Sequence, residues 1–151
     1  MIYETAAPEN LREIFQVVQH TIKTIYPRYY PAEVVDFFCA LHSEEAIARD
    51  IRKGSVGMLR VAGRIVATGS FEENHITRVY VLPEYQKKGI GTQIMKTLEE
   101  RIGEGYDSVY LDASLPAAAL YEKLGFRTVK HERYPLENEV VLVYEIMEKE
   151  R

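Results

Sequence analysis

Cysteine is almost absent: Cys39 is the only one in 151 residues. An intrachain disulfide and a cysteine-built zinc site are therefore excluded, and a reducing cytoplasm is the expected compartment. No apolar run approaches the roughly 20 residues needed to cross a bilayer, so no membrane partner is expected. The opening Met1-Ile2-Tyr3-Glu4 has neither a basic nor an apolar leader region, which argues against a signal peptide. Concentrated positive charge is missing too. The net charge is −4 and no Lys/Arg block exceeds a pair. Nucleic acid is thus not expected as the main partner, because phosphate neutralisation needs a basic face. A basic spot for one small anion is still compatible. Repeats, low-complexity tracts and linkers are absent, so residues 1–151 read as one domain.

The chain has enough apolar material for a core, with 46% hydrophobic and 28% charged residues. Ile2-Tyr3-Glu4 suits a short edge strand. Pro8 opens a helix whose apolar face carries Leu11, Ile14, Phe15, Val18, Ile22 and Ile25, and Pro27 stops it. A second helical pattern carries Val34, Val35, Phe37, Phe38 and Leu41. Ser43 can cap a further turn or two ending at Gly54. The period then changes. Val56 to Val61, Ile65 to Glu72 and His75 to Val81 read as three antiparallel strands, the first pair joined at Ala62-Gly63. Gly89 starts a strong helix, Val109 to Ala113 is a short strand, and Leu115 to Leu124 reads as another helix. Phe126 to Glu132 and Val140 to Met147 are the last two strands. This order predicts a mixed, mainly antiparallel sheet flanked by helices, an α/β (α+β) layer fold.

The stretch from Val79 to Thr92 carries the chemistry. A strand leads through a short polar loop, Gln86-Lys87-Lys88, into a helix whose first turn holds Gly89 and Gly91. The first N–H groups of a helix lack intrahelical partners and carry partial positive charge. Glycines admit a ligand close to the backbone, and two lysines add cationic charge at the same end. Together they form an anion site suited to a diphosphate. A Rossmann fingerprint would need a further small residue where Gln93 and Ile94 stand. A Walker A loop would need its lysine after the glycine, and here the lysines precede it.

Gln86-Lys87-Lys88-Gly89-Ile90-Gly91 resembles the Gln/Arg-x-x-Gly-x-Gly/Ala signature of the GNAT superfamily of acyl-CoA N-acyltransferases. Ala119-Leu120-Tyr121-Glu122-Lys123-Leu124-Gly125-Phe126 is similar to the family's Leu-Tyr-x-Lys-x-Gly-Phe block. The resemblance is tight from about Val79 to Phe126. It implies that the strands ending at Val81 and at Ala113 splay apart and admit a pantetheine arm. Backbone groups of Val79 and Val81 would pair with that arm, and amides from Lys87 to Thr92 (with Gly89, Ile90 and Gly91 between) would hold the pyrophosphate. Gln86 belongs to the same signature. Tyr121 matches a tyrosine that protonates the departing thiolate. A phenol near its reference pKa of about 10 keeps its proton at neutral pH and can donate it. Ser114 stands where many members have an asparagine bonded to the pantetheine. It serves either as a shorter-reaching contact or as a helix cap.

The resemblance implies an enzyme that moves an acetyl group from acetyl-CoA to a primary amine of a small molecule or peptide by direct attack, with no metal. A non-catalytic acyl-CoA-binding or sensing module on the same fold is the alternative. Direct attack needs a base for the amine proton. His75 is the preferred candidate, with Glu72, Glu73 or water as alternatives, since imidazole titrates near physiological pH. His20, His42 and His131 have no comparable placement in the sequence. Tyr26, Tyr29, Tyr30, Phe37 and Phe38 supply an aromatic wall for the acceptor or simply pack the core. A homodimer is admissible.

Overall fold

The computed structural model describes residues 1–150. A seven-stranded sheet runs in the order β1-β2-β3-β4-β5-β7-β6. Its strands are β1 (Glu4–Thr5), β2 (Val56–Val61), β3 (Arg64–Glu72), β4 (His75–Val81), β5 (Ser108–Ala113), β6 (Arg127–Pro135) and β7 (Val141–Glu150). The helices are α1 (Leu11–Ile25), α2 (Ala32–Leu41), α3 (Glu44–Arg52), α4 (Ile90–Ile102) and α5 (Ala118–Lys123). Every strand pairing is antiparallel except β4 with β5. The expected mixed, mainly antiparallel sheet flanked by helices is the fold observed.

Helix α1 buries Ile14, Val17, Val18, Thr21 and Ile22, the face its three-and-four spacing prescribes. Glu13 fixes it to the sheet by accepting the Ile65 N–H at 2.7 Å. The second helical pattern and the Ser43-capped segment after it form two separate helices, as expected. α2 ends at Leu41, and Ser43 caps α3 by accepting the Ala46 N–H at 3.1 Å. α3 keeps its apolar face inward with Ile47 and Ile51.

Three expectations are corrected. The helix expected over 115–124 is only Ala118–Lys123. Pro116 disfavours helical geometry at Leu115, and the Ser114 carbonyl instead closes a turn by accepting the N–H groups of Ala117 and Ala118, each at 3.1 Å. Ser114 is therefore not the helix cap. The last two strands also run further than the hydrophobic pattern indicates, to Pro135 and Glu150. Their polar residues pair across the hairpin, so the ladder continues where the apolar alternation stops.

On the α4 side of the sheet, Gly57 and Gly69 lie opposite each other on β2 and β3. They leave a notch that the Tyr3 ring fills. Tyr3 donates its hydroxyl to the Gly69 carbonyl at 3.2 Å, and Arg101 of α4 lies 4.8 Å from the ring centroid. Burial pushes the phenol up to about 12 against the opposing Arg101 charge. A Cβ at position 57 would overlap the Tyr3 ring. Gly57→Ala should displace Tyr3 and cost about 1–3 kcal/mol of stability, as overpacking does. Urea unfolding measures this, and an unchanged midpoint would show that Tyr3 does not anchor the N-terminal segment.

Candidate active site

Strands β4 and β5 pair at only two positions, His75 with Tyr110 and Ile76 with Leu111, and then part. A β-bulge sits at this point. Ser70 pairs with Arg78 and Phe71 with Ile76, which leaves Thr77 as an extra residue on β4. The Thr77 hydroxyl lies 2.7 Å from that of Ser70.

Beyond the bulge, the register determines where the β4 backbone points. Leu82 donates to the Val66 carbonyl at 2.9 Å, and Tyr80 pairs with Thr68 two residues earlier. The even-numbered residues therefore exchange bonds with β3, while the N–H and C=O groups of Val79 and Val81 face β5 across the gap. Gln86 Nε2 donates to the Val81 carbonyl at 2.9 Å. The N–H of each valine and the Val79 carbonyl are left facing the opening.

The opening is a cavity of about 740 Å³. One end is built by α4. Lys87 (φ 62°) and Gly89 (φ 84°) adopt left-handed backbone that turns the chain into the helix. The first helical bond runs from Gln93 N to Gly89 O at 3.1 Å. The N–H groups of Ile90, Gly91 and Thr92 precede it and form the donor end of the helix. Lys87, Gly89, Gly91 and Thr92 line the cavity. Ile90 is buried, so only its backbone is available, and Lys88 sits over the Tyr85 ring at 5.5 Å. A Cβ on Gly91 would meet nothing nearer than Leu120 at 3.4 Å.

Aromatic hydroxyls meet in the middle. Tyr121 of α5 lines the cavity and is only 7% exposed. Burial, with Tyr26 nearby, raises its phenol above the usual value, so it is fully protonated at neutral pH. Tyr26 donates to the Tyr80 hydroxyl at 3.3 Å, and burial raises its phenol while the nearby Ser114 hydroxyl works against that rise. Tyr26 packs edge-on against Phe38 at 5.0 Å, and both line the cavity. Tyr29 is exposed and Phe37 packs against Tyr134, so the aromatic wall is narrower than expected.

The other end is polar. His75 Nε2 lies 3.3 Å from Asp112 Oδ2, and its ring stacks on Tyr110 at 4.4 Å between centroids with the planes 2° apart. His75, Asp112 and Glu72 line the cavity, and Glu72 is also paired with Lys53 at 3.4 Å. Glu73, with φ 54°, occupies the β3–β4 turn and is not among the lining residues.

His42 corrects the sequence reading, because the chain carries it from the end of α2 into this cavity. Its Nδ1 accepts from Arg78 Nε at 3.0 Å, and its ring meets Tyr80 edge-on at 5.3 Å. Arg78 is paired through Nη1 with Asp50 Oδ2 at 2.7 Å and donates to Ser70 Oγ at 3.2 Å. Burial, and then the Arg78 charge, push His42 down to about 3, so it is neutral at physiological pH. Only the presence of His42 and Arg78 in the sequence hints at this cluster. Their contact spans 36 residues and follows no local spacing.

Among the described residues no group of three or more His, Cys, Asp or Glu side chains is placed to hold a metal, and no helix is long and apolar enough to cross a membrane.

Residues 25–143 match the family model of the acetyltransferase (GNAT) domain. The chain is 25% identical over 135 residues to an N-alpha-acetyltransferase of Saccharolobus solfataricus, covering 83% of this chain and 79% of that protein. Its fold is similar to a GCN5-related N-acetyltransferase of Rhodopseudomonas palustris, with TM-score 0.89 and 23% identity over 99% of this chain and 95% of that one. It is likewise similar to the PaiA N-acetyltransferase of Thermoplasma acidophilum solved with coenzyme A, with TM-score 0.78 and 18% identity over 99% and 98% of the two chains.

The depressed His42 value has a stability consequence with a definite sign. Between about pH 6.5 and pH 3 the unfolded chain binds a proton that the folded chain refuses. Unfolding free energy should therefore fall on acidification by about 1.4 kcal/mol per pH unit from this group. His42→Gln keeps an acceptor for Arg78 and removes the titration. Urea unfolding at pH 7 and pH 5 should show wild type losing about 2 kcal/mol more than the variant. Equal losses would mean that His42 titrates normally in the folded state.

Proposed function

The chain belongs to the GNAT acetyltransferase family, and on that premise we propose that it moves the acetyl group of acetyl-CoA to a primary amine of a small molecule or peptide by direct attack. The observation that carries this reading is the pair of backbone edges facing the gap between β4 and β5, which opens onto the N-terminus of α4. An extended chain with alternating amides fits the first, and a pyrophosphate fits the second. The coenzyme A bound in the Thermoplasma neighbour is consistent with it.

Val79 and Val81 hold the pantetheine amides through their backbone, and an N–H at the open edge polarises the thioester carbonyl. The amides of Lys87 to Thr92 hold the pyrophosphate, Lys87 and Lys88 add charge, and Gln86 braces the Val81 carbonyl from the side. Ser114 borders the same channel beside Tyr26.

His75 takes the amine proton. With Nε2 toward the Asp112 carboxylate, its ring proton sits on Nε2, and the Nδ1 lone pair is the base. As the nitrogen–carbon bond forms and the carbon–sulfur bond breaks, Tyr121 gives its proton to the departing thiolate. An amine that arrives as ammonium first releases one proton to solvent; the proton that His75 collects as the new bond forms returns to Tyr121 through solvent and so ends on the thiol. The low-polarity surroundings that hold the phenol proton also disfavour a bare thiolate, which keeps the transfer feasible.

Two variants test this reading. Tyr121→Phe should retain acetyl-CoA affinity and lose about 10² to 10⁴ in kcat, read by coenzyme A release over an amine panel. A destabilised protein with unaltered kcat would remove Tyr121 from the mechanism. Gly91→Val, whose Cβ would make ordinary contacts with Leu120 at 3.4 Å and Val81 at 3.9 Å, should weaken acetyl-CoA binding at least tenfold by calorimetry in protein whose melting curve shows it folded. Normal affinity would mean that the backbone there does not approach the pyrophosphate.

A further inference from the structure

One flank of the cavity is built by apolar side chains that the proposed reaction does not use. Ile25 at the end of α1 and Phe38 and Leu41 on α2 line it. Ile25 and Phe38 also pack against the core, whereas Leu41 is 50% exposed and lies outside it. The next residue fixes where this flank stands. His42 bonds to Arg78 and meets the Tyr80 ring, so the end of α2 lies against β4 beside the open Val79–Val81 edge. The flank therefore borders the half of the cavity left for the acceptor.

The charged groups of that half are already paired. Glu72 faces Lys53 at 3.4 Å, Asp112 faces His75 at 3.3 Å, and Asp50 faces Arg78 at 2.7 Å. A second ammonium on the acceptor would have to displace a partner within the chain, and nothing else there would offset its lost hydration. An apolar substituent meets no such cost. Seated on Leu41, it would take exposed hydrocarbon of both partners out of water, a source of affinity that the fold leaves unused.

We infer that the acceptor is a small primary monoamine carrying an apolar substituent and no second charge, and that Leu41, with Ile25 and Phe38, seats that substituent. This rests on the proposed acetyl transfer and narrows its acceptor.

Ethylamine, heptylamine and hexamethylenediamine test it, because the three have nearly equal basicity. Heptylamine and the diamine are also equally long and differ in ending on a methyl group or on an ammonium. Wild-type kcat/KM, counted per amino group, should favour heptylamine over each of the others by at least about tenfold. Leu41→Ser and Leu41→Glu alter a half-exposed residue at the end of a helix, and a melting curve checks that each is folded. In Leu41→Ser the heptylamine preference should fall at least about fivefold, through KM for the amine, with KM for acetyl-CoA unchanged. Leu41→Glu adds a carboxylate without a partner and should turn the preference towards the diamine. A wild type that treats the three amines alike, or that prefers ethylamine or the diamine, would overturn the inference. So would turnover confined to peptides, or folded variants that keep the wild-type ratios. Should neither variant fold, the wild-type ratios decide alone. Each of these failures leaves acetyl transfer standing. No coenzyme A release with any amine, peptides included, would instead overturn the transfer reading and this inference with it.

Discussion

The arrangement depends on one constraint, the incomplete pairing of β4. On one side it is bonded to β3 along its length, and on the other it meets β5 over two residues only. Interior backbone groups normally find partners, and leaving them unmade costs about 1–3 kcal/mol each. The separation is held open from several directions. The Thr77 bulge redirects β4 at the point of departure, Gln86 occupies the Val81 carbonyl, and α5 sets Tyr121 against the far wall. β5 itself is kept straight by its full pairing with β7, from Ser108 to Ala113. The gap is thus a stable feature between two well-supported strands, and its unpaired edge suits a ligand that supplies the missing partners.

The cleft is electrically divided. Lys87 lines the half near the α4 N-terminus, where an anion is favoured, while Glu72 and Asp112, partnered by Lys53 and His75, lie toward the β4–β5 junction. Between them the lining is aromatic and hydroxylic, with Tyr26, Tyr80 and Tyr121 all raised by burial and hence neutral. An acyl donor with an anionic tail and an amine acceptor that is cationic before reaction would be drawn to opposite ends and would meet at the neutral middle. The division explains how a chain of net charge −4 can offer a site for a phosphate-bearing ligand.

Much of this was legible in the sequence because it is local. The strand, basic loop and paired glycines of α4 lie in one continuous stretch. The alternation in β4 and the three-and-four spacing of α1 reflect burial of a single face. Ser43 announced its own cap. What could not be read is long-range or conformational. Asp112 meets His75 only because two distant strands pair in parallel, and the Thr77 bulge leaves no mark in the hydrophobic pattern. The helix expected from Leu115 fails in its first turn because Pro116 and the Ser114 carbonyl impose a different bend. His42 carries no local signal, because its significance lies wholly in Arg78, 36 residues away.

The Arg78 cluster also bears on how stability and chemistry are divided. A buried ion pair is weak evidence for stability, since desolvation of both charges offsets most of their attraction. A Leu or Met at position 78 would pack the same space without an ionic partner, whereas removing Asp50 alone would strand a cation. The cluster also holds a histidine in its neutral form, at the expense of acid stability. Packing alone accounts for neither feature. Both follow if fixed, uncharged donors are required at the floor of the cavity, because a rigid guanidinium and an imidazole locked in one tautomer present hydrogen bonds without adding net charge. The fold accommodates this below the splay, where α3 supplies Asp50 and the α2–α3 junction supplies His42. The α2–α3 junction, set by the Ser43 cap, is therefore what brings His42 to that floor.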